Sequence, residues 1–415
     1  MIPKKILISG GWGYANLGDD AILSSTLKLV TKKYPEAEIV VMTYDPIEGV
    51  KIFDNEKVKF ISSVHRHMIG DQAFRKFKIE LNFNADTFVV NWNKDSLFQR
   101  ATRKISREYY DWYERSYFKK YLKLKNDLDK NPLLREFQSA DLFILGGGGY
   151  FNGSWKSNLF AHVLEFDLAK KTGIRTLFIG QTIEAFKDEK TLAAAKSVFS
   201  IADRISIRDN ESYKDLLSYG YNPIIIPDTA LSEVFFPDKK DELIIITGGK
   251  GLSDVQADIL AEATVNIQDS HRFTVKIIIS RLWESDINSA YRVYNRLLKV
   301  FKDVKIVIPS NLQELQREVL SGKVIVSQNL HGLILGWRAG GECVCLTSSR
   351  KFLSFMEQTH QTDMVVFEDA YESNSISKKI SNAFKNYGKF NVLRLNLAND
   401  VTVGFLNELD LVCKD

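Results

Sequence analysis

The sequence predicts an α/β protein built from two doubly wound domains, each a parallel β-sheet with helices on both faces. Short apolar segments rich in β-branched residues alternate with helical patterns along almost the whole chain, which is typical of strands buried on both faces. A polar segment at residues 235–241 interrupts this alternation, which then starts again. We therefore expect domains at residues 1–236 and 241–390 that face each other across a cleft, and a tail at residues 391–415.

The predicted strands are short apolar runs separated by helical patterns and turn signals. In the first domain they cover residues 5–9, 38–43, 58–62, 141–145, 175–179, 204–207 and 223–226. In the second domain they cover residues 242–247, 274–280, 305–308, 323–326, 343–346 and 364–367. Helices between most of these runs would connect neighbouring strands in parallel.

Residues 63–138 depart from this alternation because they are rich in aromatic and basic side chains. We interpret this stretch as a mostly helical insertion in the first domain. The favoured interpretation is a helical hairpin that buries its aromatic residues and exposes its lysines. Two functional interpretations remain open, a platform for glycans and a peripheral contact with a membrane surface, since lysine and arginine attract anionic lipid.

Composition limits the classes of function. With 45% hydrophobic and 26% charged residues, the chain has the composition of a soluble globular protein. A net charge of +4 gives no strong case for binding nucleic acid. The apolar runs are strand-sized, the first residues do not resemble a signal peptide, and the three cysteines lack zinc-ligand spacing. We expect a cytoplasmic protein without a metal site.

A glycine-rich loop follows the first strand, in the sequence GGWGYANLGDD at residues 10–20. A strand, a glycine loop and a helix in this order usually bind phosphate. Here Asp19 and Asp20 would repel an anion, and the third glycine of a dinucleotide-binding loop is replaced by Asn16. These three side chains are suited to sugar hydroxyls, although the two acids could simply complement the helix dipole.

Other polar and glycine clusters also follow predicted strands, at the edge of a parallel sheet where ligands bind. Four glycines in a row, of which we assign Gly147, Gly148 and Gly149 to ligand contact, allow the backbone to approach a ligand closely. His331 stands between a β-branched strand and an apolar helix, where an imidazole could bind an anion or move a proton. The cationic and polar candidates at this edge are Arg208, Arg281, Asn329, Arg350 and Lys351.

Several segments, in this order along the chain, resemble the polysaccharide pyruvyl transferase family. They are GGWGYANLGDDAI, DLFILGGGGYF, ISIRDNESYKDLLSYGY with PDTAL, VIVSQNLHGLILGWRAGG and RKFLSF. The resemblance covers residues 4–45 and about 140–365. It implies a GT-B-like pair of Rossmann-like domains. It also implies transfer of a pyruvyl group from phosphoenolpyruvate (PEP) to hydroxyls of a bacterial surface glycan, leaving a pyruvate ketal and phosphate.

One position departs from part of the family. Some members have an Arg-Leu-His triplet tied to the donor, whereas here Asn329 precedes Leu330 and His331. A second form of the family motif, Ser-x-x-His-Gly, fits Ser327, His331 and Gly332 better. The residue that neutralises the PEP carboxylate is therefore open among Arg208, Arg281, Arg350 and Lys351.

The resulting hypothesis divides the cleft between two substrates. PEP, the donor and the only small molecule required, would bind the second domain at His331, Asn329 and the cations, with Arg208 reaching across. The oligosaccharide or lipid-linked acceptor would lie on the first domain at Asn16, Asp19, Asp20 and the glycines 147–149, with Asp19 as the candidate base. Such an enzyme of exopolysaccharide or capsule synthesis could act at the inner face of the plasma membrane.

Two alternatives remain at this stage. A nucleotide-sugar glycosyltransferase on the same scaffold would place its diphosphate at the same cationic loops. A non-catalytic glycan-binding protein could retain the scaffold and lose the donor site, for which the departure at Asn329 is the one supporting feature.

Overall fold

A computed structural model describes residues 2–13, 16–52, 57–69, 117–153, 156–184, 186, 188–236, 240–247, 252–268, 270–281 and 284–414. The strands are β1 Lys5–Ser9, β2 Glu38–Thr43, β3 Val58–Ser62, β4 Leu142–Leu145, β5 Gly148–Phe151, β6 Arg175–Ile183, β7 Arg204–Ile207, β8 Ile224–Ile225, β9 Lys240–Ile246, β10 Thr274–Ile278, β11 Val304–Val307, β12 Gly322–Ser327 and β13 Glu342–Cys345.

The α-helices are α1 Leu17–Lys33, α2 Pro46–Ile52, α3 Val64–Ile69, α4 Leu134–Gln138, α5 Lys156–Thr172, α6 Glu189–Phe199, α7 Asn210–Ser218, α8 Asp254–Asn266, α9 Glu284–Leu297, α10 Leu312–Leu320, α11 Leu330–Arg338, α12 Arg350–Gln358, α13 Ser373–Lys385 and α14 Asn391–Lys414. Residues 117–126 are also helical. Single 3₁₀ turns lie at Leu128–Lys130, Thr229–Leu231, Thr362–Met364 and Glu368–Ala370.

The strands form two parallel sheets, one in each half of the chain. The order in the first sheet is β3-β2-β1-β4-β6-β7-β8, with β5 pairing β6. The order in the second sheet is β11-β10-β9-β12-β13. In both sheets a strand that starts the domain lies in the middle, and the chain moves outward first to one side and then to the other. This confirms the doubly wound architecture predicted from the sequence.

Two predicted strands differ from the observed ones. The run at residues 364–367 makes only an isolated bridge between Val365 and Cys345, because 3₁₀ turns on either side leave too few extended residues for a ladder. Conversely, part of the predicted glycine loop is the strand β5, which pairs with the extended end of β6. Of the predicted insertion at 63–138, the structure describes α3, the helix at 117–126 and α4, and residues 70–116 lie outside the described residues.

The central strands are buried on both faces, as their apolar composition requires. Ile6, Leu7 and Ile8 of β1, and Ile244, Ile245 and Ile246 of β9, have no exposed surface. Alternate residues of each strand pack against the helices of opposite faces. The polar residues that follow the strands therefore collect at one edge of each sheet.

The C-terminal helix α14 connects the two halves. Near its start, the buried Arg394 donates to the carbonyl oxygens of Trp337 and Gly341, at 3.0 and 2.7 Å, and lies 3.1 Å from Glu342. Near its end, Glu408 accepts two hydrogen bonds from Arg204 in β7, at 2.9 and 2.7 Å. One rigid helix is thus fixed to the second domain at one end and to the first at the other.

We expect Glu408→Ala to lower the free energy of unfolding by about 1–3 kcal/mol, because it removes two charge-assisted hydrogen bonds from a buried carboxylate. Thermal and urea unfolding would measure the change. Asp410→Ala is the matched control on the same helix, because its ion pair with Lys33 is more exposed and worth at most about 1 kcal/mol. Equal effects of the two substitutions would contradict the role assigned to Glu408.

Candidate active site

The loop after β1 is organised by its own polar side chains. Asn16 caps helix α1, since its Oδ1 accepts a hydrogen bond from the Gly18 N–H at 3.3 Å. Its Nδ2 donates to Oδ2 of Asp19 at 2.7 Å. The backbone of Asn16 also forms an antiparallel bridge with Arg281 of the second domain. The loop is therefore tied to both domains, and Asn16 fixes one oxygen of Asp19 while the other faces the second domain.

Asp20 has a different environment from Asp19. Its side chain is buried, and its Oδ1 accepts a hydrogen bond from the Gly13 N–H at 3.1 Å. The geometry shows Asp20 holding the turn that precedes α1. The acceptor contact predicted for it stays a prediction.

His331 lies at the start of α11, in a turn that its neighbours determine. Asn329 caps the helix, since its Oδ1 accepts from the Gly332 N–H at 3.0 Å. Ser327 Oγ donates to the Asn329 carbonyl at 2.9 Å and accepts from the Asn329 N–H at 2.8 Å. A Cβ at Gly332 would lie 2.8 Å from the same Oγ. The Ser-x-x-His-Gly spacing therefore forms a tight strand-to-helix turn that presents His331, and Asn329 contributes a cap to that turn.

The His331 ring crosses to the first domain and packs on the backbone of Gly18. A Cβ at Gly18 would overlap Cβ, Cγ and Nδ1 of His331, so only glycine permits this approach. The ring places its Nε2 3.9 Å from Oδ1 of Asp19. That nitrogen is buried and has no hydrogen-bond partner among the described residues. The predicted donor residue and the predicted base thus belong to one site.

Burial shifts the two groups in opposite directions. It raises the pKa of Asp19 to about 6, although the nearby Arg208 and Arg281 favour the carboxylate. It lowers the pKa of His331 to about 4, and the carboxylate of Asp228 opposes this only in part. Near neutral pH Asp19 is therefore ionised and His331 is neutral. Such a pair can accept a proton at either group.

The predicted cations differ in how they are held. Arg208 donates to Thr182 Oγ1 at 2.7 Å and to Asp228 at 2.5 Å. Arg281 makes a two-bond ion pair with Asp286, at 2.7 and 2.9 Å. Both act on the charges of Asp19 and His331, so they line the same cleft.

Arg350 and Lys351, adjacent in sequence, have different roles in the structure. Arg350 pairs with Asp215 of α7 at 2.7 Å, linking the two domains beside the site. Lys351 forms no ion pair with any described residue. Burial lowers its pKa, and the carboxylate of Glu184, at the end of β6, opposes that shift. Glu184 is a cleft residue that the sequence analysis missed, since nothing in its local pattern distinguishes it.

Packing explains most of the four glycines. A Cβ at Gly146 would meet Trp12, one at Gly147 would lie 3.0 Å from the Gly180 carbonyl oxygen, and one at Gly148 would overlap the Tyr150 ring. Gly149 alone has open space where its Cβ would be. The ligand contacts predicted for Gly147 and Gly148 stay predictions, and Gly149 has the geometry that suits one.

Among the described residues, no three histidine, cysteine, aspartate or glutamate side chains are grouped as metal ligands. Within the same ranges, no helix combines the length and apolar composition that a membrane span requires.

Gly18→Ala should destabilise the protein even though alanine favours a helix by about 1 kcal/mol over glycine. The new methyl group would displace the His331 ring. The double variant Gly18→Ala/His331→Gly, which removes the ring and also the Cβ that the new methyl group would overlap, should regain most of the loss in melting temperature. If the double variant is as unstable as Gly18→Ala, the contact between Gly18 and His331 is not the cause.

Asp20→Asn should stabilise the protein increasingly as pH rises. Burial raises the pKa of Asp20 from 3.8 to about 7, so its ionisation costs stability as pH rises through that window. Asparagine keeps an oxygen for the Gly13 N–H but does not ionise. We expect a higher melting temperature than wild type at about pH 8 and little difference at about pH 4. A stability difference that does not change with pH would contradict this assignment, with Asp410→Asn as the exposed control.

Comparison with known proteins places this geometry in a family. A comparison with curated proteins gave no match. Solved structures of UDP-GlcNAc 2-epimerases are similar in fold. The one from Methanocaldococcus jannaschii has a TM-score of 0.59 at 9% identity, covering 98% of this chain and 99% of that one. The one from Neisseria meningitidis, bound to UDP-GlcNAc, has a TM-score of 0.52 at 12% identity, covering 98% and 100%.

A ugt transferase from Siraitia grosvenorii in complex with UDP is also similar, with a TM-score of 0.51 at 12% identity and coverage of 99% and 100%. These likenesses confirm the predicted GT-B fold of two Rossmann-like domains. The family model for polysaccharide pyruvyl transferase matches residues 16–350. This range includes the loop of Asn16 and Asp19, the turn of His331 and the cations at 208, 281 and 350. The chain therefore belongs to the polysaccharide pyruvyl transferase family.

Proposed function

We propose that this transferase moves the pyruvyl group of PEP onto two hydroxyls of a glycan sugar, forming a ketal and releasing phosphate. One observation carries the proposal. At the cleft between the domains, the Nε2 of His331 and the ammonium group of Lys351 have no hydrogen-bond or ion-pair partner among the described residues, and Asp19 lies beside them. Lys351 is half-buried, and an ammonium group without a partner is suited to a bound anion, to which the buried Nε2 of His331 donates when it carries a proton.

PEP carries a phosphate and a carboxylate, which require at least two cationic or hydrogen-bonding positions. Lys351 and His331 supply two that need not break an existing ion pair. Arg208 and Arg281 are already paired with Asp228 and Asp286, so they would contribute positive potential. Arg350 is paired with Asp215, which favours Lys351 over Arg350 as the donor-site cation.

The proximity of Asp19 and His331 suggests how protons move. Asp19 takes the proton of the attacking hydroxyl, and His331 delivers a proton to the methylene carbon of PEP, which becomes the methyl group. The hydroxyl oxygen bonds to the neighbouring carbon. A second hydroxyl then attacks that carbon, the carbon–oxygen bond to phosphate breaks, and the second hydroxyl's proton leaves with the phosphate as HPO₄²⁻. The proton on Asp19 passes to the nearby His331, which restores both groups.

In this scheme the binding of PEP itself makes His331 able to act as the acid. The phosphate dianion would raise the pKa of His331, because an adjacent negative charge favours the imidazolium. Acid–base assistance of this kind contributes about 10²–10⁴-fold to a rate. The acceptor sugar would lie on the first domain near Asn16, Asp19 and Gly149, and the surrounding cations would stabilise the leaving phosphate. On this proposal the enzyme would act in the synthesis of surface polysaccharide, on the cytoplasmic side of the membrane.

Ligand-dependent melting temperatures test the donor. We expect PEP to stabilise the wild-type protein and a panel of nucleotide sugars to leave it unchanged. Lys351→Met and His331→Ala should each reduce the PEP-induced shift. Lys323→Met is a control in the second domain, away from the cleft. Stabilisation by a nucleotide sugar would favour a glycosyltransferase instead, and no response to either ligand would favour a glycan-binding protein.

A further inference from the structure

A buried hydrogen-bond chain lies behind the glycine strand, on the α5 side of the first sheet. Ser9, at the end of β1, donates its Oγ–H to Oε1 of Glu165 at 2.8 Å. The other oxygen of Glu165 lies 2.7 Å from Nδ1 of His162. Because a carboxylate accepts, Nδ1 carries the proton, and Nε2 is the ring nitrogen left for a further partner. That Nε2 is buried and has no partner among the described residues.

Tyr150 is the neighbour of His162, and its hydroxyl group also lacks an acceptor. The centroids of the two rings are 5.6 Å apart. The Tyr150 hydroxyl is buried; its oxygen can accept from the Gly11 N–H, but its O–H has no acceptor in the described part of the chain. Burial and the charge of Asp19 raise the pKa of Tyr150 well above its usual value, so it is a neutral phenol that can donate. Its oxygen lies against Gly11, at the base of the loop that carries Asp19.

One kind of ligand group satisfies both side chains together. A hydroxyl accepts a hydrogen bond from the phenol and can also pair with an imidazole nitrogen, whichever of the two donates, whereas an anion would be repelled by Glu165 behind the ring. The charge of Asp19 acts on Tyr150, so the Tyr150 end of this pair lies near the proposed base. Buried polar groups without partners call for such an explanation.

We propose that Tyr150 and His162 form a subsite that binds one hydroxyl of the acceptor sugar, with Glu165 and Ser9 as positioning residues that fix the imidazole. The proposal rests on the proposed function for the identity of the sugar as acceptor. Both atoms are covered in this structure, so the sugar enters as the loop at Gly10–Gly13 moves off the phenol. Gly11 and Gly148 add no side-chain atoms over Tyr150, and a Cβ at either position would overlap its side chain.

Phosphate release by the full chain tests the subsite, with PEP and a panel of p-nitrophenyl hexopyranosides as acceptors, followed by mono-deoxy analogues of the best one. We expect Tyr150→Phe to raise the acceptor KM about 10-fold and to leave the PEP KM within about twofold. One deoxy analogue should cost the wild type a similar factor and cost Tyr150→Phe nothing more. Tyr371→Phe is the matched control, because its hydroxyl is also buried without a partner but lies in the second domain.

The proposal is overturned if Tyr150→Phe raises both KM values together, or if every deoxy analogue loses the same factor in wild type and variant. His162→Phe should give the same pattern as Tyr150→Phe. Because His162→Phe also leaves the buried Glu165 carboxylate without its imidazole partner, Tyr150→Phe is the decisive variant. If the wild type neither binds nor consumes PEP, the proposed function fails separately. The shift in melting temperature that the sugar causes then tests the subsite. The subsite requires a smaller shift in Tyr150→Phe than in Tyr371→Phe, and equal shifts would overturn it.

Discussion

The contact between His331 and the backbone of Gly18 is the constraint on which the site depends. The first turn of a helix is normally covered by its own side chains. Here the missing Cβ lets an imidazole of the second domain rest on the first turn of α1. Asn16 and Asp19 occupy the same turn, so the proton-accepting groups of two domains meet without a long side chain having to span the cleft.

Around this contact, the charges are arranged so that few of them are free. Arg208, Arg281 and Arg350 each have a carboxylate partner, at distances of 2.5 to 2.7 Å. Paired guanidinium groups are fixed in position and still present positive potential to a ligand. Lys351 and His331 are the groups left to change partners. The paired arginines of such a cleft are fixed, whereas the Nζ of Lys351 and the Nε2 of His331 can bind a ligand.

Much of the fold follows from the sequence, since the β-branched runs at residues 5–9, 38–43 and 204–207 coincide with observed strands. The segments that follow the predicted strands also identified Asp19, Arg208 and His331, because the carboxyl ends of parallel strands lie at one edge of the sheet. The strand β5 was missed because glycines have low strand propensity, and its pairing depends on Gly148 and Gln181, which are distant in sequence, being adjacent in space.

The sequence could not reveal relations between distant segments. Nothing local shows that Arg350 turns to Asp215 while Lys351 faces the cleft, or that Asp19 lies beside His331 of the other domain. His162 has no distinctive neighbours along the chain, and its importance depends on Glu165 one helical turn later and on Tyr150 from another element. Such features depend on tertiary packing, which periodicity does not encode.

The helix α14 constrains how the cleft can open. The chain crosses between the domains once before β9 and again within this helix, so the domains cannot separate freely about a single linker. Arg394 and Glu408 anchor it 14 residues apart, or about 21 Å along a rigid helix. Any opening of the cleft would therefore be a rotation about α14. The Asp19 and His331 loops would separate, while the contacts of Arg394 and Glu408 would be kept.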